Sequence, residues 1–318
     1  MDHNATHTYL VTGGAGFIGS HVVDALVNDG HTVRVVDNFS TGHRENLAQV
    51  ADRIDLREIS ITDRDALADA MQGVDYVFHL AALPSVPRSV DDPIASNENN
   101  VNGTLNVLLT ARDAGVKRVV YSGSSSAYGD IDSEFKSEDM APRPLSPYAV
   151  AKLAGEQYCQ VFTTVYGLEA VTIRYFNVFG PRQDPTSAYA AVIPKFMSSM
   201  LDDAPPIIEG DGLQTRDFTY IDNVVHGNLL ACHTPGVAGE VFNIACGGQI
   251  NLLDMVAILN RLLGKTIEPR FTDPRPGDVR HSRASIDKAR RMLGYEPLVS
   301  FEEGLARTLA WYESTLAV

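Results

Sequence analysis

The stretch "TYLVTGGAGFIGSHVVDALVNDG", residues 8–30, decides the fold of the first part of the chain. A short apolar run ends in glycines, and helical spacing then continues until Gly30 closes it. Gly13, Gly16 and Gly19 form a GxxGxxG spacing at the turn between strand and helix. Glycine lets the backbone turn tightly and approach a pyrophosphate, whose charge is stabilised by the helix N-terminus. The stretch therefore predicts a dinucleotide-binding strand-turn-helix unit.

The second strand, "HTVRVVD", supports a dinucleotide site because it ends in an acidic residue. Asp37 follows Gly19 by 18 residues, where a carboxylate can accept hydrogen bonds from the adenosine ribose hydroxyls. The same charge repels a 2′-phosphate, and no arginine adjoins it in "VVDNFSTGH". The pattern favours NAD over NADP, the alternative being that Asp37 is a simple turn residue.

Strand and helix patterns alternate through the first half of the chain. "VDYVFHLAA", "VKRVVYSGSSS" and "LEAVTIRYFNVFG" read as strands, and "NNVNGTLNVLLTARDAG" reads as a helix. Such alternation is typical of a parallel sheet covered on both faces. The predicted fold class is α/β, a Rossmann-type doubly wound parallel sheet with a smaller C-terminal substrate lobe.

The composition changes near residue 176, where Pro, Gly and Asp become frequent, as in "GPRQDPTSAYAAVIPKF" and "APPIIEGDGLQTRDF". Loops of this kind suit a lobe above the C-terminal edge of the sheet, where ligands bind in open α/β folds. We predict an NAD-binding domain over residues 1–175, to which later segments return, and a mainly substrate-binding lobe over 176–318.

Composition and charge narrow the function classes. The chain of 318 residues has 26 Lys and Arg against 40 Asp and Glu, a net charge of −14, which argues against nucleic acid as a partner. No apolar run approaches the ~20 residues of a membrane helix, and "MDHNATHT" does not resemble a secretory signal. We expect a cytoplasmic protein without a membrane partner. Its three cysteines have no metal-ligand spacing, so we expect reduced thiols and no metal.

The stretch "LSPYAVAK", residues 145–152, opens a long amphipathic run that we predict to be a helix from about 147 to Gly167. Ser146 is a good N-cap, and Pro147 suits the first helical position. Tyr148 and Lys152 are four residues apart and so share one helix face. A nearby cation lowers the pKa of a phenol from about 10, which would make Tyr148 a base near neutral pH. The alternative is a phenol at the core edge beside a solvated lysine.

Together these motifs resemble the extended short-chain dehydrogenase/reductase family over nearly the whole chain, and most closely its nucleotide-sugar 4-epimerases. The resemblance implies an enzyme with NAD as cofactor and with Tyr148, Lys152 and Ser124 as the catalytic triad. It also implies a homodimer in which helices near 93–114 and 147–167 of each subunit form a four-helix bundle.

The resemblance implies two further sets of residues. The cofactor-binding set is Gly13, Gly16, Phe17, Ile18, Gly19, Asp37, Asn38, Ser40, Gly42, Ser60, Ile61, Leu80, Ala81, Ala82, Asn100, Ser122, Tyr148, Lys152 and Tyr175. The substrate-binding set is Ser85, Ser124, Ser125, Ser126, Tyr148, Asn177, Ala191, Val192, Lys195, Arg216, Arg275, Asp278 and Ser282. Within the second set, Arg216, Arg275 and Asp278 match positions that bind the phosphates and ribose of UDP.

Ser126 separates this chain from two related enzyme groups. The 4,6-dehydratases and uronate decarboxylases of the family carry glutamate at this place, so the resemblance implies oxidation and reduction at C4 alone. The small residue Ser282 matches the epimerases that accept N-acetylated UDP-hexoses, which have a small residue at this position. Pro84 differs from them, because they are expected to have glycine there. The implied substrates are UDP-GlcNAc/UDP-GalNAc and/or UDP-Glc/UDP-Gal.

Two other functions stay open at this point. A UDP-glucuronate 4-epimerase would need a cation after "GPRQ", where this chain has Asp184. A non-catalytic NAD-sensing scaffold of the same fold would commonly lack the tyrosine and lysine pair.

Overall fold

The computed structural model describes residues 6–131, 133–184, 191–274 and 280–316. The described residues up to Tyr175 form a series of parallel strands and connecting helices. The strands are β1 (Thr8–Thr12), β2 (Thr32–Val36), β3 (Ile54–Arg57), β4 (Tyr76–His79), β5 (Arg118–Ser124) and β6 (Glu169–Tyr175). The helices are α1 (Phe17–Asn28), α2 (Arg64–Ala70), α3 (Val86–Asp91), α4 (Pro93–Asn97), α5 (Gly103–Asp113) and α6 (Pro147–Tyr166), with a π-helical turn (Glu98–Asn102) joining α4 to α5.

The later part of the chain has shorter strands. They are β7 (Val178–Phe179), β8 (Ile207–Glu209), β9 (Thr215–Arg216), β10 (Thr219–Tyr220), β11 (Val241–Ile244), β12 (Ile250–Asn251), β13 (Arg270–Thr272) and β14 (His281–Ser282). The helices are α7 (Val192–Leu201), α8 (Ile221–His233), α9 (Leu252–Leu263), α10 (Asp287–Leu293) and α11 (Phe301–Leu316).

The main sheet is parallel and has the order β3-β2-β1-β4-β5-β6-β11. The order reverses between β1 and β4, where Thr12 lies opposite His79. In open parallel sheets a ligand crevice forms at such a switch point, outside the carboxyl ends of the strands. The predicted Rossmann-type fold class is confirmed, and it places the site at the ends of β1 and β4.

Helices cover both faces of this sheet, so its central strands are apolar on both sides. Along β1, Tyr9 and Val11 pack into a core with α1, while Leu10 points into a second core that contains Leu67 and Val107. A strand buried on both faces reads as a continuous apolar run, as "TYLVT" does. The sheet is therefore a rigid centre that carries the loops of the site.

Helix α6 begins and ends as its sequence predicts. The Ser146 hydroxyl oxygen accepts a hydrogen bond from the Ala149 N–H at 3.2 Å, and Pro147 occupies the first turn. Gly167 ends the helix with φ +72°, the left-handed conformation that favours glycine. These local signals fix where Tyr148 and Lys152 stand on the helix.

The structure corrects one predicted strand. "LEAVTIRYFNVFG" is not continuous, because β6 ends at Tyr175 and β7 pairs with β10 in a separate small sheet. Asn177, between them, has φ +34° and turns the chain out of the main sheet. Strand β11 from the later half of the chain pairs instead with β6. The domain boundary at residue 175 stays a prediction.

Among the described residues, no helix is long and apolar enough to cross a membrane. The same residues contain no cluster of three His, Cys, Asp or Glu side chains suited to a metal ion. Cys159, Cys232 and Cys246 are free thiols.

Candidate active site

A first cavity of about 470 Å³ opens at the carboxyl ends of β1, β4 and β5. Most of the predicted cofactor residues line it. They are Gly13, Gly16, Phe17, Ile18, Gly19, Asp37, Asn38, Ser40, Ser60, Ile61, Leu80, Ala81, Ala82, Ser122, Tyr148, Lys152 and Tyr175. The structure thus gathers residues from seven separate segments of the sequence around one crevice.

The glycine-rich turn leaves no room for side chains. Gly13 has φ +70°, and a Cβ atom there would lie 2.6 Å from the Ala81 backbone nitrogen. A Cβ on Gly19 would lie 2.1 Å from the Gly13 carbonyl oxygen. The first N–H groups of α1 have no acceptor within the helix, and its N-cap, Gly16, offers no side chain to bind them. This helix end therefore fits the diphosphate of a dinucleotide.

Asp37 follows β2, three strands along the sheet from the β5 strand that carries Ser124; it lies in the cavity wall and is mostly buried. One carboxylate oxygen accepts from the Ala15 N–H at 2.9 Å, and the other accepts from the Phe39 N–H at 2.8 Å. These bonds hold the carboxylate at the end of β2, where each oxygen keeps a further lone pair for a ribose hydroxyl.

Two predicted cofactor residues, Asn100 and Gly42, lie behind the cavity wall rather than in it. Asn100 is buried in the π-helical turn, where its side-chain oxygen accepts from the Leu83 N–H at 2.7 Å and its amide donates to the Leu83 carbonyl at 3.0 Å. It therefore clamps the loop after β4, and Asn99 lines the cavity instead. Gly42 packs beside Asp37, because a Cβ there would lie 3.0 Å from the Asp37 carboxylate.

Lys152 is buried between α6 and β5. Its ammonium donates to the Ser122 carbonyl oxygen at 2.8 Å and lies 5.3 Å from the centre of the Tyr121 ring. Burial lowers the pKa of Lys152 to about 8. The helix can approach this closely because Gly155 has no side chain, and a Cβ there would lie 2.3 Å from the Tyr121 hydroxyl oxygen. The lysine is thus a fixed cation at neutral pH.

Tyr148 and Ser124 line the same end of the cavity as Lys152. Burial raises the pKa of the Tyr148 phenol, while a hydrogen bond with Ser124 acts in the opposite direction. In the protein by itself burial outweighs this hydrogen bond, and a phenolate stabilised by Lys152 stays a prediction. The Ser124 hydroxyl oxygen lies 2.8 Å from that of Ser126 and accepts from the Ser126 N–H at 3.2 Å.

A second cavity of about 690 Å³ adjoins the first and shares Asn177, Val178 and Gln183 with it. Much of the predicted substrate set lines this cavity: Asn177, Ala191, Val192, Lys195 and Arg216. Ser124, Ser125 and Tyr148 line the first cavity.

The remaining predicted substrate residues stand elsewhere. Ser85 caps α3 and accepts from the Arg88 N–H at 3.3 Å. Ser126 is hydrogen-bonded to Ser124 and lines neither cavity. Ser282 on β14 pairs with Arg216 on β9. Arg275 and Asp278 lie outside the described residues.

Sequence reasoning missed several lining residues, among them Thr41, Asn99 and Gln183. Thr41 and Asn99 adjoin predicted residues and could have been included by their position. Gln183 follows a turn in "GPRQ", and only the folded chain brings that turn back to the cavity.

Comparison with known proteins identifies the family. Residues 9–245 match the family described as "NAD dependent epimerase/dehydratase family". The chain is 40% identical to a UDP-glucose 4-epimerase of Mycolicibacterium smegmatis, over 96% of this chain and 98% of that protein.

Solved structures agree with this assignment. A UDP-glucose 4-epimerase of Thermotoga maritima, solved with UDP-glucose, is 42% identical with a TM-score of 0.92, covering 97% of this chain and 99% of that one. A UDP-N-acetylglucosamine 4-epimerase of Methanobrevibacter ruminantium, solved with UDP-N-acetylmuramic acid, is 40% identical with a TM-score of 0.93, covering 98% and 99%. The resemblance inferred from sequence motifs is confirmed: the chain belongs to the NAD-dependent epimerase/dehydratase family.

Proposed function

We propose that this protein is an NAD-dependent UDP-hexose 4-epimerase that acts through a 4-keto sugar. The observation that carries the proposal is that Tyr148, Lys152 and Ser124 line the first cavity, and that Ser124 pairs with Tyr175, which stands two residues before Asn177 in the wall of both cavities. A cofactor bound along the first cavity and a nucleotide sugar bound in the second would meet at these three side chains.

The residues present fit NAD. The uncapped start of α1 and the close-packed Gly13 turn suit its diphosphate, and the Asp37 carboxylate suits its adenosine ribose. Lys152, bonded to Ser122 of β5, and Tyr175, at the end of β6, line the same cavity and are proposed to lie beside the nicotinamide. When bound, NAD supplies the site with a hydride acceptor that afterwards returns the hydride to the sugar.

Tyr148 is the proposed general base and general acid. Its phenolate removes the proton from the sugar O4 during oxidation, and the phenol gives the proton back during reduction. Ser124 donates a hydrogen bond to O4, and the Lys152 charge stabilises the phenolate. Because Ser126 offers no carboxylate, the site has no second acid or base for elimination, and the sugar leaves as the C4 epimer.

Epimerisation requires a firmly held nucleotide and a sugar that can turn. Arg216 and Lys195 line the second cavity and are the proposed ligands of the UDP phosphates. Because the chain as a whole is acidic, a phosphate needs local cations of this kind to bind. Arg275 and Asp278 are proposed to complete the nucleotide site. The 4-keto sugar then turns about its bonds to the diphosphate and presents its other face.

We propose UDP-GlcNAc/UDP-GalNAc and/or UDP-Glc/UDP-Gal as substrates. The relatives described above are named for UDP-glucose and for UDP-N-acetylglucosamine, which supports both pairs. The small Ser282 beside Arg216 supports the N-acetylated pair. Pro84, in the wall of the first cavity where those epimerases have glycine, supports the pair without the acetyl group. Asp184 gives no cation for a uronate carboxylate, which disfavours UDP-glucuronate.

A homodimer is also proposed. Val150, Val161 and Val165 form an exposed apolar stripe along one face of α6, and Ile94 on the neighbouring α4 is 79% exposed. A second copy of these helices would cover the stripe. Light scattering of the purified protein and of Ile94→Arg tests this, with a dimer expected for the first and a monomer for the second. A cytoplasmic location and the lack of nucleic-acid or membrane partners stay predictions from the sequence.

Separate incubation with UDP-Glc, UDP-GlcNAc and UDP-GlcA, followed by chromatography of the products, tests the proposed activity. Conversion of the first or second sugar to its C4 epimer is expected. Conversion of UDP-GlcA alone would support the uronate alternative, and no conversion of any sugar would support an NAD-sensing scaffold.

A further inference from the structure

The first turn of α6 carries Tyr148, and its N–H groups have no acceptor within their own helix. Pro147 has no N–H, and the Ala149 N–H donates to the Ser146 hydroxyl oxygen at 3.2 Å. The Tyr148 N–H donates to a different helix, because its acceptor is the hydroxyl oxygen of Ser89 on α3 at 3.0 Å. The backbone of Tyr148 is therefore tied directly to α3.

Ser89 is buried, and its hydroxyl group is held in one orientation. The hydroxyl donates to the Val86 carbonyl oxygen at 2.7 Å, one turn back in α3. Its single proton is used in that bond, so its oxygen faces the Tyr148 N–H as an acceptor. Ser89 thus offers Tyr148 an acceptor whose position is set by α3.

Helix α3 is itself anchored where it leaves the wall of the first cavity. Leu83 and Pro84 line that cavity, and Leu83 is clamped by the Asn100 side chain described above. Ser85 then caps α3, and its carbonyl oxygen accepts from the Ser89 N–H at 3.2 Å. The segment from Leu83 to Ser89 therefore joins the cavity wall to the start of α6, with hydrogen bonds at both of its ends.

We propose that Ser89 is a positioning residue for Tyr148. This inference rests on the proposed function, in which Tyr148 is the general base. Removal of the O4 proton requires the phenol oxygen to lie within about 2.6–3.2 Å of O4. Without Ser89, the Tyr148 N–H would lose its acceptor, and the first turn of α6 would shift relative to the cavity wall.

A shifted phenol should slow proton transfer more than it weakens substrate binding. Misplacement of a reacting group by about 1 Å can cost about 10²-fold in rate. The second cavity, which is proposed to hold the nucleotide, is lined by described residues other than Ser89 and Tyr148. Ser89→Ala is therefore expected to lower kcat and to leave the KM of the UDP-sugar nearly unchanged.

Steady-state epimerisation of UDP-Glc or UDP-GlcNAc, whichever the wild type converts faster, tests this expectation. Calorimetric titration with UDP counts the intact nucleotide sites, so that kcat is expressed per site and an unfolded fraction does not lower it. The kcat per site of Ser89→Ala should fall by about tenfold or more. The KM of the UDP-sugar should stay within about twofold of the wild-type value.

Two further variants separate positioning from stability. Ser89→Thr keeps the hydroxyl group, which can make the same bond to the carbonyl one turn back, and should keep most of the wild-type kcat per site. A cavity of about 240 Å³ that Ser89 helps to line can take the added methyl group. Ser300→Ala removes a bond of the same kind at the start of α11, where the Ser300 hydroxyl oxygen accepts from the Glu303 N–H at 3.3 Å. It should leave the kcat per site unchanged.

If Ser89→Ala yields no sites that bind UDP, Ser89→Cys takes its place with the same expectation, because a thiol is a weak acceptor. A kcat per site within about twofold of the wild type would overturn the inference and leave the proposed function intact. So would a raised KM with unchanged kcat, or a loss in Ser89→Thr as large as that in Ser89→Ala. If the wild type converted neither sugar, the proposed function and this inference would be overturned together.

Discussion

A buried ion pair behind the active site gives a stability prediction that can be worked out from distances. Glu156 stands one turn after Lys152 on α6, and Arg174 directly precedes Tyr175 in β6. The Arg174 guanidinium donates to both carboxylate oxygens, at 2.8 and 2.6 Å, and lies 4.5 Å from the centre of the Tyr128 ring. The two side chains are only 3% and 2% exposed. The pair therefore joins the catalytic helix to the sheet.

Glu156→Gln keeps the volume of the side chain but removes its charge. Arg174 would then be a buried cation without its hydrogen-bonded counter-ion, in a place that solvent does not reach. Breaking such a pair costs about 3–5 kcal/mol of unfolding free energy. The double variant Glu156→Leu with Arg174→Met removes both charges and should recover much of this loss. Urea denaturation followed by circular dichroism measures the unfolding free energy of the wild type, of Glu156→Gln and of the double variant.

The matched control is an exposed pair on the surface. Arg261 and Glu302 lie 2.6 Å apart, but their side chains are 58% and 56% exposed. The unfolding free energy of Glu302→Gln should stay within about 1 kcal/mol of the wild-type value, since water screens exposed pairs. If Glu156→Gln were no more destabilised than Glu302→Gln, or if the double variant were less stable than Glu156→Gln, the argument from burial would be refuted.

Four further predictions address the site. Tyr148→Phe should keep nucleotide-sugar binding, measured by calorimetry, and lose about 10² to 10⁴-fold of its steady-state turnover. Turnover near the wild-type rate would exclude Tyr148 as the base. Stripped protein should bind NAD more tightly than NADP because Asp37 repels a 2′-phosphate, and tighter NADP binding would contradict this. Ser282→Tyr should abolish epimerisation of UDP-GlcNAc while UDP-Glc conversion persists, whereas equal loss of both would remove the argument for an N-acetyl pocket. Burial lowers the pKa of Lys152 to about 8, whereas a free lysine has a pKa of about 10.4, so the unfolded chain binds more protons between these two pH values. The difference in unfolding free energy between the wild type and Lys152→Met should therefore rise by about 3 kcal/mol across this pH range, and a difference that does not change with pH would contradict the prediction.

Local signals in the sequence predicted the parts of the site that depend on neighbouring residues. The cap at Ser146, the left-handed Gly167 and the glycine turn at Gly13 each follow from residue chemistry over a few positions. Those signals place Tyr148 and Lys152 on one helix and fix where α1 begins.

Features that depend on distant parts of the chain could not be predicted in this way. The pairing of β11 with β6 and the return of Gln183 to the cavity wall both depend on the path of the later chain. The clamp of Asn100 on Leu83 and the raised pKa of Tyr148 depend on burial, which no local pattern gives. Nucleotide-sugar specificity belongs to this second group, because it is set by residues that meet only in the fold.

Removal and return of the same C4 hydrogen is the central claim, and UDP-glucose deuterated at C4 tests it most directly. Product UDP-galactose from a reaction in ordinary water is isolated and analysed by NMR and mass spectrometry. We predict that the deuterium remains at C4 of the product, because a single bound cofactor accepts and returns it without exchange with solvent. Epimerised product that carries solvent hydrogen at C4 would contradict the proposed mechanism.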